Sequence, residues 1–258
     1  MTKADIRLSE TPLAYDEAPP RIGLVLLATD HTSERDFARL VTPTGIAVHA
    51  SRIAYENPTT PRNLHEMQPR LEEGAALILP GEMLDAICYS CTAASVVIGD
   101  DEVEAAISRA KPGAAVVTPP AAARAGLRAL GVRRISILTP YTIETSTPMV
   151  AYFARHGFEV AGLTCFGLED DRVMARVAPQ AIVAAARGAM APDAEALFIS
   201  CTALRAAEVA ARIEAEIGRP VVTSNLASAW MCLSLAGGRA PEGEAAQLLR
   251  VRPPAMGA

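Results

Sequence analysis

The tetrapeptide Ser-Cys-Thr-Ala occurs twice, at residues 90–93 and 200–203. Each copy follows a short apolar run (Asp85-Ala86-Ile87 and Ala196-Leu197-Phe198-Ile199) and precedes an alanine-rich segment. This pattern predicts a buried strand that delivers a cysteine to the first turn of a helix. There, unpaired N–H groups and the positive end of the helix dipole lower a thiol's pKa. A single cysteine so placed is usually a small core residue. Cys91 and Cys201, 110 positions apart, form a pair within a longer repeat. Residues 21–29 echo residues 134–142 at an offset of 113, and residues 112–118 echo 218–223 at an offset of about 105. Two facing copies would bring both thiols to one cleft from opposite sides.

Around such a cleft the sequence offers the hydroxyls of Thr92, Thr118, Thr202 and Thr223, the phenol of Tyr141 and the amide of Asn225. Short hydroxyls and the backbone amides of helix starts, Ala93 among them, bind oxyanions and stabilise an enediolate beside a carboxylate. The thiols would serve as a base and acid pair, or as one nucleophile and one proton donor. Asp30 lies in a polar loop after an apolar strand, where ligands bind in open parallel sheets, and His31 beside it reads as solvated. There is no Gly-x-Gly-x-x-Gly or Walker-type loop in a suitable context and no lysine in a cofactor-like setting, so no cofactor is expected. Cys88-x-x-Cys91 is a poor redox or zinc half-site: Cys88 falls inside the strand, and no second pair or His cluster completes a tetrad. Cys88, Cys165 and Cys232 read as core.

The elements that must position these groups alternate in type. Strands are expected at 22–28, 46–53, up to 90, 114–118, 135–139, 159–165, up to 200 and 221–223. The helices between them include one over 63–77 kinked at Pro69, one over about 172–190, one running from after Cys201 to Ile217, and one capped by Ser224-Asn225 and running through Trp230. The pattern is α/β, with two pseudo-symmetric, doubly wound, Rossmann or flavodoxin-like parallel-sheet lobes and the site between them. The expected division is residues 1–119 plus 226–258 for one lobe and 120–225 for the other. The loop at 55–62, with two prolines, is either a lid or a stiff connector. Residues 1–20 read as an extended arm able to wrap a neighbour, which makes a homo-oligomer plausible.

Composition narrows the function classes. A net charge of −5 with scattered basic residues excludes a nucleic-acid footprint. No apolar run approaches a membrane span and the polar start lacks a signal-peptide core, so a cytoplasmic protein is expected. Five cysteines in such a chain argue for reduced thiols. The expected partner is a small carboxylate.

The duplicated Ser-Cys-Thr, the Leu138-Thr-Pro-Tyr141 turn and residues 222–230 (Val-Thr-Ser-Asn-Leu-Ala-Ser-Ala-Trp) resemble the aspartate/glutamate racemase superfamily, in its branch of maleate cis-trans isomerases and arylmalonate decarboxylases. The resemblance runs from about Arg21 to Gly237. Residues 27–37, 57–63 and 85–99 most resemble the ectoine-utilisation (EutA-type) group of that branch. The resemblance implies a cofactor-independent isomerase or racemase, with Cys91 as nucleophile and Cys201 as assisting acid or base. It also implies a carboxylate-binding role for Tyr141 and an oxyanion-binding role for Thr92. Decarboxylases of the branch keep only the second cysteine. Maleate isomerases usually carry asparagine where this chain has Asp30, whose charge would repel a second carboxylate and attract an ammonium or amidine-like nitrogen. That favours a nitrogen-bearing acid, as in ectoine or hydroxyectoine catabolism. Maleate isomerisation proper, decarboxylation of a malonate-like acid and non-catalytic binding of a small acid stand as alternatives.

Overall fold

A computed structural model describes residues 6–253. The first half runs β1 (Arg21–Leu27), α1 (Ser33–Leu40), β2 (Ala47–Ile53), α2 (Pro61–His65), α3 (Leu71–Ala76), β3 (Ala86–Tyr89), α4 (Thr92–Ile98), α5 (Asp100–Ala110), β4 (Ala115–Val117) and α6 (Pro119–Ala129). The second runs β5 (Arg134–Tyr141), α7 (Ile143–Arg155), β6 (Glu159–Leu168), α8 (Asp171–Met174), α9 (Pro179–Ala189), β7 (Ala196–Ile199), α10 (Ala210–Ile217), β8 (Val221–Thr223) and α11 (Ser224–Leu235).

The strands form two four-stranded parallel sheets of the same order, β2-β1-β3-β4 and β6-β5-β7-β8. The pseudo-symmetry expected from the repeat is thus present in the topology. Parallel strands covered on both faces read as continuous apolar runs, and Ile22 to Leu26, Ile135 to Leu138 and Leu197 to Ile199 are accordingly buried, with Ser136 the polar exception. In both sheets the order reverses at one place, between β1 and β3 and between β5 and β7. The crevice beyond the strands' carboxyl ends opens there.

Threonines and prolines set the helix starts. The hydroxyls of Thr60, Thr118, Thr142 and Thr223 cap α2, α6, α7 and α11 by accepting N–H bonds. The cap of α11 is therefore Thr223, not Ser224-Asn225, and the helix continues past Trp230 to Leu235. The helix expected over 63–77 is broken into α2, a 3-10 turn at Gln68–Arg70 and α3, as a proline at its second turn requires. The helix expected over 172–190 is also broken. Pro179 forces Ala178 into extended backbone (φ −65°, ψ 140°), so the short α8 and the longer α9 are separate. The helix expected directly after Cys201 starts only at Ala210, beyond a run of turns.

Helix α11 leaves the second sheet at β8 and packs on α1, α6 and β3. We propose that the lobes divide accordingly, residues 1–119 with 226–258 against 120–225. The described part of the N-terminal arm, residues 6–20, has no regular structure and leaves Ile6, Leu8, Leu13 and Tyr15 exposed. Residues 1–5 lie outside the described residues.

Candidate active site

The two switch points face each other, and their loops enclose a cavity. It is lined by Leu27, Asp30, Tyr55, Thr59, Leu64, Cys91, Ala93, Tyr141, Asp171, Met174, Cys201, Thr202 and Ala203. Both thiols therefore share one chamber, Cys91 after β3 and Cys201 after β7. The space left is about 20 Å³, room for about one water molecule, so in this state the chamber is tight. A larger groove of about 390 Å³ beside Trp230 has no cysteine, histidine or carboxylate among its described lining residues.

Hydrogen bonds between the halves hold it shut. Thr32 Oγ1 donates to the Ala203 carbonyl (2.9 Å) and Thr202 Oγ1 to the Ser90 carbonyl (3.0 Å). The β2–α2 loop covers the opening: Thr59 N–H donates to the Glu169 carbonyl (2.6 Å), Thr145 Oγ1 to the Thr59 carbonyl (2.8 Å) and Asn57 Nδ2 to Asp171 Oδ1 (2.8 Å).

The thiols are not equivalent. Cys91 is the extended N-cap residue of α4. Cys201 has φ +94°, a conformation that costs a non-glycine residue about 1–3 kcal/mol and is concentrated at functional sites. The strained turn aims the Ala203 N–H at Cys201 Sγ (3.3 Å). The expectation that a helix start lowers both thiol pKa values is overturned in this closed chamber. Burial dominates and pushes Cys91 well above the ordinary thiol range, against only the Ala94 N–H. Burial also raises Cys201, to about 11, opposed by the neighbouring Tyr141 hydroxyl and the Ala203 and Leu204 N–H groups. Cys201 is the readier thiolate. The phenols of Tyr141 and Tyr55 are driven upward chiefly by burial and stay protonated donors.

Of the residues singled out in the sequence, Cys91, Cys201, Asp30, Ala93, Tyr141 and Thr202 line the chamber. Three do not. Thr92 spends its hydroxyl on Ser224 Oγ (2.7 Å). Thr118 donates to Asp100 Oδ1 (2.6 Å) while capping α6. Asn225 stands behind the wall, donating to Asp36 Oδ2 (2.7 Å) and to the Thr202 carbonyl (2.9 Å), so it positions the second loop. Helix caps and ligand sites use the same short polar side chains, and these were taken by structure. Tyr55, Thr59 and Asp171 line the chamber without having been singled out. Asp171 had a signal: it follows β6 at the carboxyl edge of the second sheet. Cys88 and Cys232 are fully buried against each other, and that contact together with burial raises the Cys232 thiol, as the core reading requires. Among the described residues no group of three or more His, Cys, Asp or Glu could hold a metal ion. No helix there is long and apolar enough to cross a membrane.

The arylmalonate decarboxylase family model matches residues 69–249. This chain belongs to that family. Maleate isomerase of Nocardia farcinica is 28% identical over 224 residues, covering 83% of this chain and 88% of that protein. Arylmalonate decarboxylase of Bordetella bronchiseptica is 34% identical over 117 residues, 45% of this chain and 49% of that protein. Among solved structures, a mutant of the Nocardia farcinica maleate cis-trans isomerase carrying a covalently bound succinylcysteine intermediate superposes with a TM-score of 0.82 at 24% identity. That superposition covers 90% of this chain and 99% of that one, and it shows the shared fold. The arylmalonate decarboxylase family thus includes this chain as a two-lobed member with a cysteine in each lobe.

Proposed function

We propose that this protein is a cofactor-independent isomerase or racemase of a small carboxylic acid, with Cys91 and Cys201 as its working pair. The observation that carries the reading is the meeting of the two repeat-related thiols in one closed chamber. In the proton-transfer version, the Cys201 thiolate removes the hydrogen beside the carboxylate. The electron pair moves into an enediolate held by loop N–H groups and the Tyr141 hydroxyl, and the Cys91 thiol returns a proton to the other face. In the cis-trans version, Cys91 adds to the double bond, the resulting single bond rotates, and elimination restores the thiolate and releases the product. The resemblance to maleate isomerase supports the second version, and the presence of both thiols supports either over decarboxylation, which needs one proton donor. The EutA-type resemblance and the negative charge of Asp30 support a nitrogen-bearing acid of ectoine or hydroxyectoine breakdown.

Proton NMR in D₂O tests this, with maleate, aspartate, glutamate, methylmalonate and ectoine-derived diamino acids as substrates for wild type, Cys91→Ala and Cys201→Ala. Deuterium entering at the carbon beside the carboxylate, or a cis acid becoming trans, with both variants dead, is the expected result. Activity surviving in Cys91→Ala but not in Cys201→Ala would move the decarboxylase reading ahead.

A further inference from the structure

The chamber wall holds two carboxylates, one from each half of the molecule. Asp30 follows β1 and Asp171 opens α8, and each is only 7% exposed. Among the described residues no lysine, arginine or histidine lines the chamber. Neutral donors satisfy both acids. Asp30 accepts the Thr32 and Ser33 N–H groups (2.9 Å each) and Ser33 Oγ (2.7 Å). Asp171 accepts Asn57 Nδ2 (2.8 Å) and the Thr29 hydroxyl. The nearby Arg52 bonds the Asp30 main-chain carbonyl (2.9 Å), not its carboxylate, and reaches Glu34. A carboxylate offers about four acceptor positions, so Asp30 and Asp171 each keep at least one. Arg52 and Arg172 act on Asp30 and Asp171 only from outside the chamber, and buried carboxylates with no cation on their own cavity wall are stabilised by a cationic ligand; burial indeed raises the Asp30 pKa.

We propose that Asp30 and Asp171 grip a cationic nitrogen of the substrate between the lobes, so that the substrate is a carboxylic acid that also bears an ammonium or amidinium group, while a dianionic acid is rejected. This rests on the reading of the chamber as the substrate site. Tyr141 and the amides of the Cys201 loop then face the single carboxylate, and the positive group fixes which carbon lies between the thiols. Asp30 and Asp171 set specificity and take no proton in the reaction.

The test uses diaminobutyrate and maleate as probes and follows protection of Cys91 and Cys201 from a small thiosulfonate reagent, read by peptide mass spectrometry. Wild type, Asp30→Asn, Asp171→Asn and the double variant are compared, each with its melting curve. Protection by diaminobutyrate is expected in wild type and should require about 10–100-fold more compound in either single variant, the usual loss for a charged hydrogen bond. Maleate should protect only after both acids are neutralised. If Asp30→Asn fails to fold because its turn is lost, Asp171→Asn alone still decides. Maleate protecting wild type as well as it protects the variants, or diaminobutyrate binding unchanged in Asp171→Asn, would overturn the grip and leave the chamber standing as a ligand site. Failure of both probes to protect the thiols in any protein would bring down both claims.

Discussion

If burial outweighs the loop dipoles at Cys201, its thiolate must be scarce at neutral pH, and that scarcity can be measured without knowing the substrate. Burial lifts this thiol from the ordinary 9.0 to about 11. The difference means about a hundredfold less thiolate at neutral pH and on the order of 3 kcal/mol against ionisation. At pH 8 only about one Cys201 in a thousand would be ionised. Modification by methyl methanethiosulfonate follows the thiolate, and peptide mass spectrometry separates Cys201 from the other thiols. Between pH 6 and 9.5 the Cys201 rate should climb close to tenfold per pH unit without levelling, while glutathione run alongside bends at its own pKa. Tyr141→Phe removes the largest influence opposing burial, so it should slow the reaction further at every pH and keep the slope. A Cys201 plateau below about pH 8.5 would refute the reasoning, because the strained turn's N–H groups and Tyr141 would then have outweighed desolvation.

Two further outcomes concern the scaffold. Burial holds the Asp36 carboxyl near 6 against an ordinary 3.8; the folded state therefore keeps a proton that the unfolded chain has lost, and stability falls as pH rises from about 4 to about 6 and is level above that. Asp36→Asn, which can still accept from Asn225, should raise stability above pH 7 by roughly 1–3 kcal/mol and make no difference below pH 4, read from urea unfolding at each pH. Thr202→Val leaves the Ser90 carbonyl without its 3.0 Å partner across the lobes. It should lower stability by about 1–3 kcal/mol and speed Cys91 modification, because the shut state loses one of its latches.

The sequence carried the architecture because fully covered parallel strands leave unbroken apolar runs, and because a duplicated motif repeats every constraint twice. Strand order was not written in those runs. It emerges from which strands pair, and the 2-1-3-4 pattern is common to both halves. At the site, the legible residues were those fixed to strand ends, namely Asp30, Cys91, Tyr141, Cys201 and Thr202. Thr92, Thr118 and Asn225 lie off the chamber wall because a hydroxyl or amide near a helix start satisfies local backbone or a neighbour before it reaches a ligand. Asp171 fell just ahead of the helix expected over about 172–190, in a stretch given no role, although it opens α8 at the carboxyl edge of the second sheet. The positive φ of Cys201 had no signal, since nothing in Ser-Cys-Thr-Ala distinguishes the strained copy from the relaxed one.

Identical topology with unequal thiols constrains the reaction. Cys91 sits in ordinary extended backbone as a cap, while Cys201 is strained and better supplied with donors. The resting pair is thus biased toward a base on the second lobe and an acid on the first. A racemisation has an equilibrium constant of one, so kcat/KM must be equal for the two enantiomers whatever the bias. The asymmetry could surface there only as matched differences in kcat and KM, the enantiomer that needs Cys91 as base meeting the rarer ionisation state. A cis-trans isomerisation carries no such constraint, and two thiols with separate tasks, one adding and one governing protons, gain from being unlike. In the version where Cys91 adds to the double bond, its proton must first pass to the Cys201 thiolate, a step that proton transfer begun by Cys201 does not need, and in a racemase the kinetic split between directions is the quantity in which the inequality would be seen.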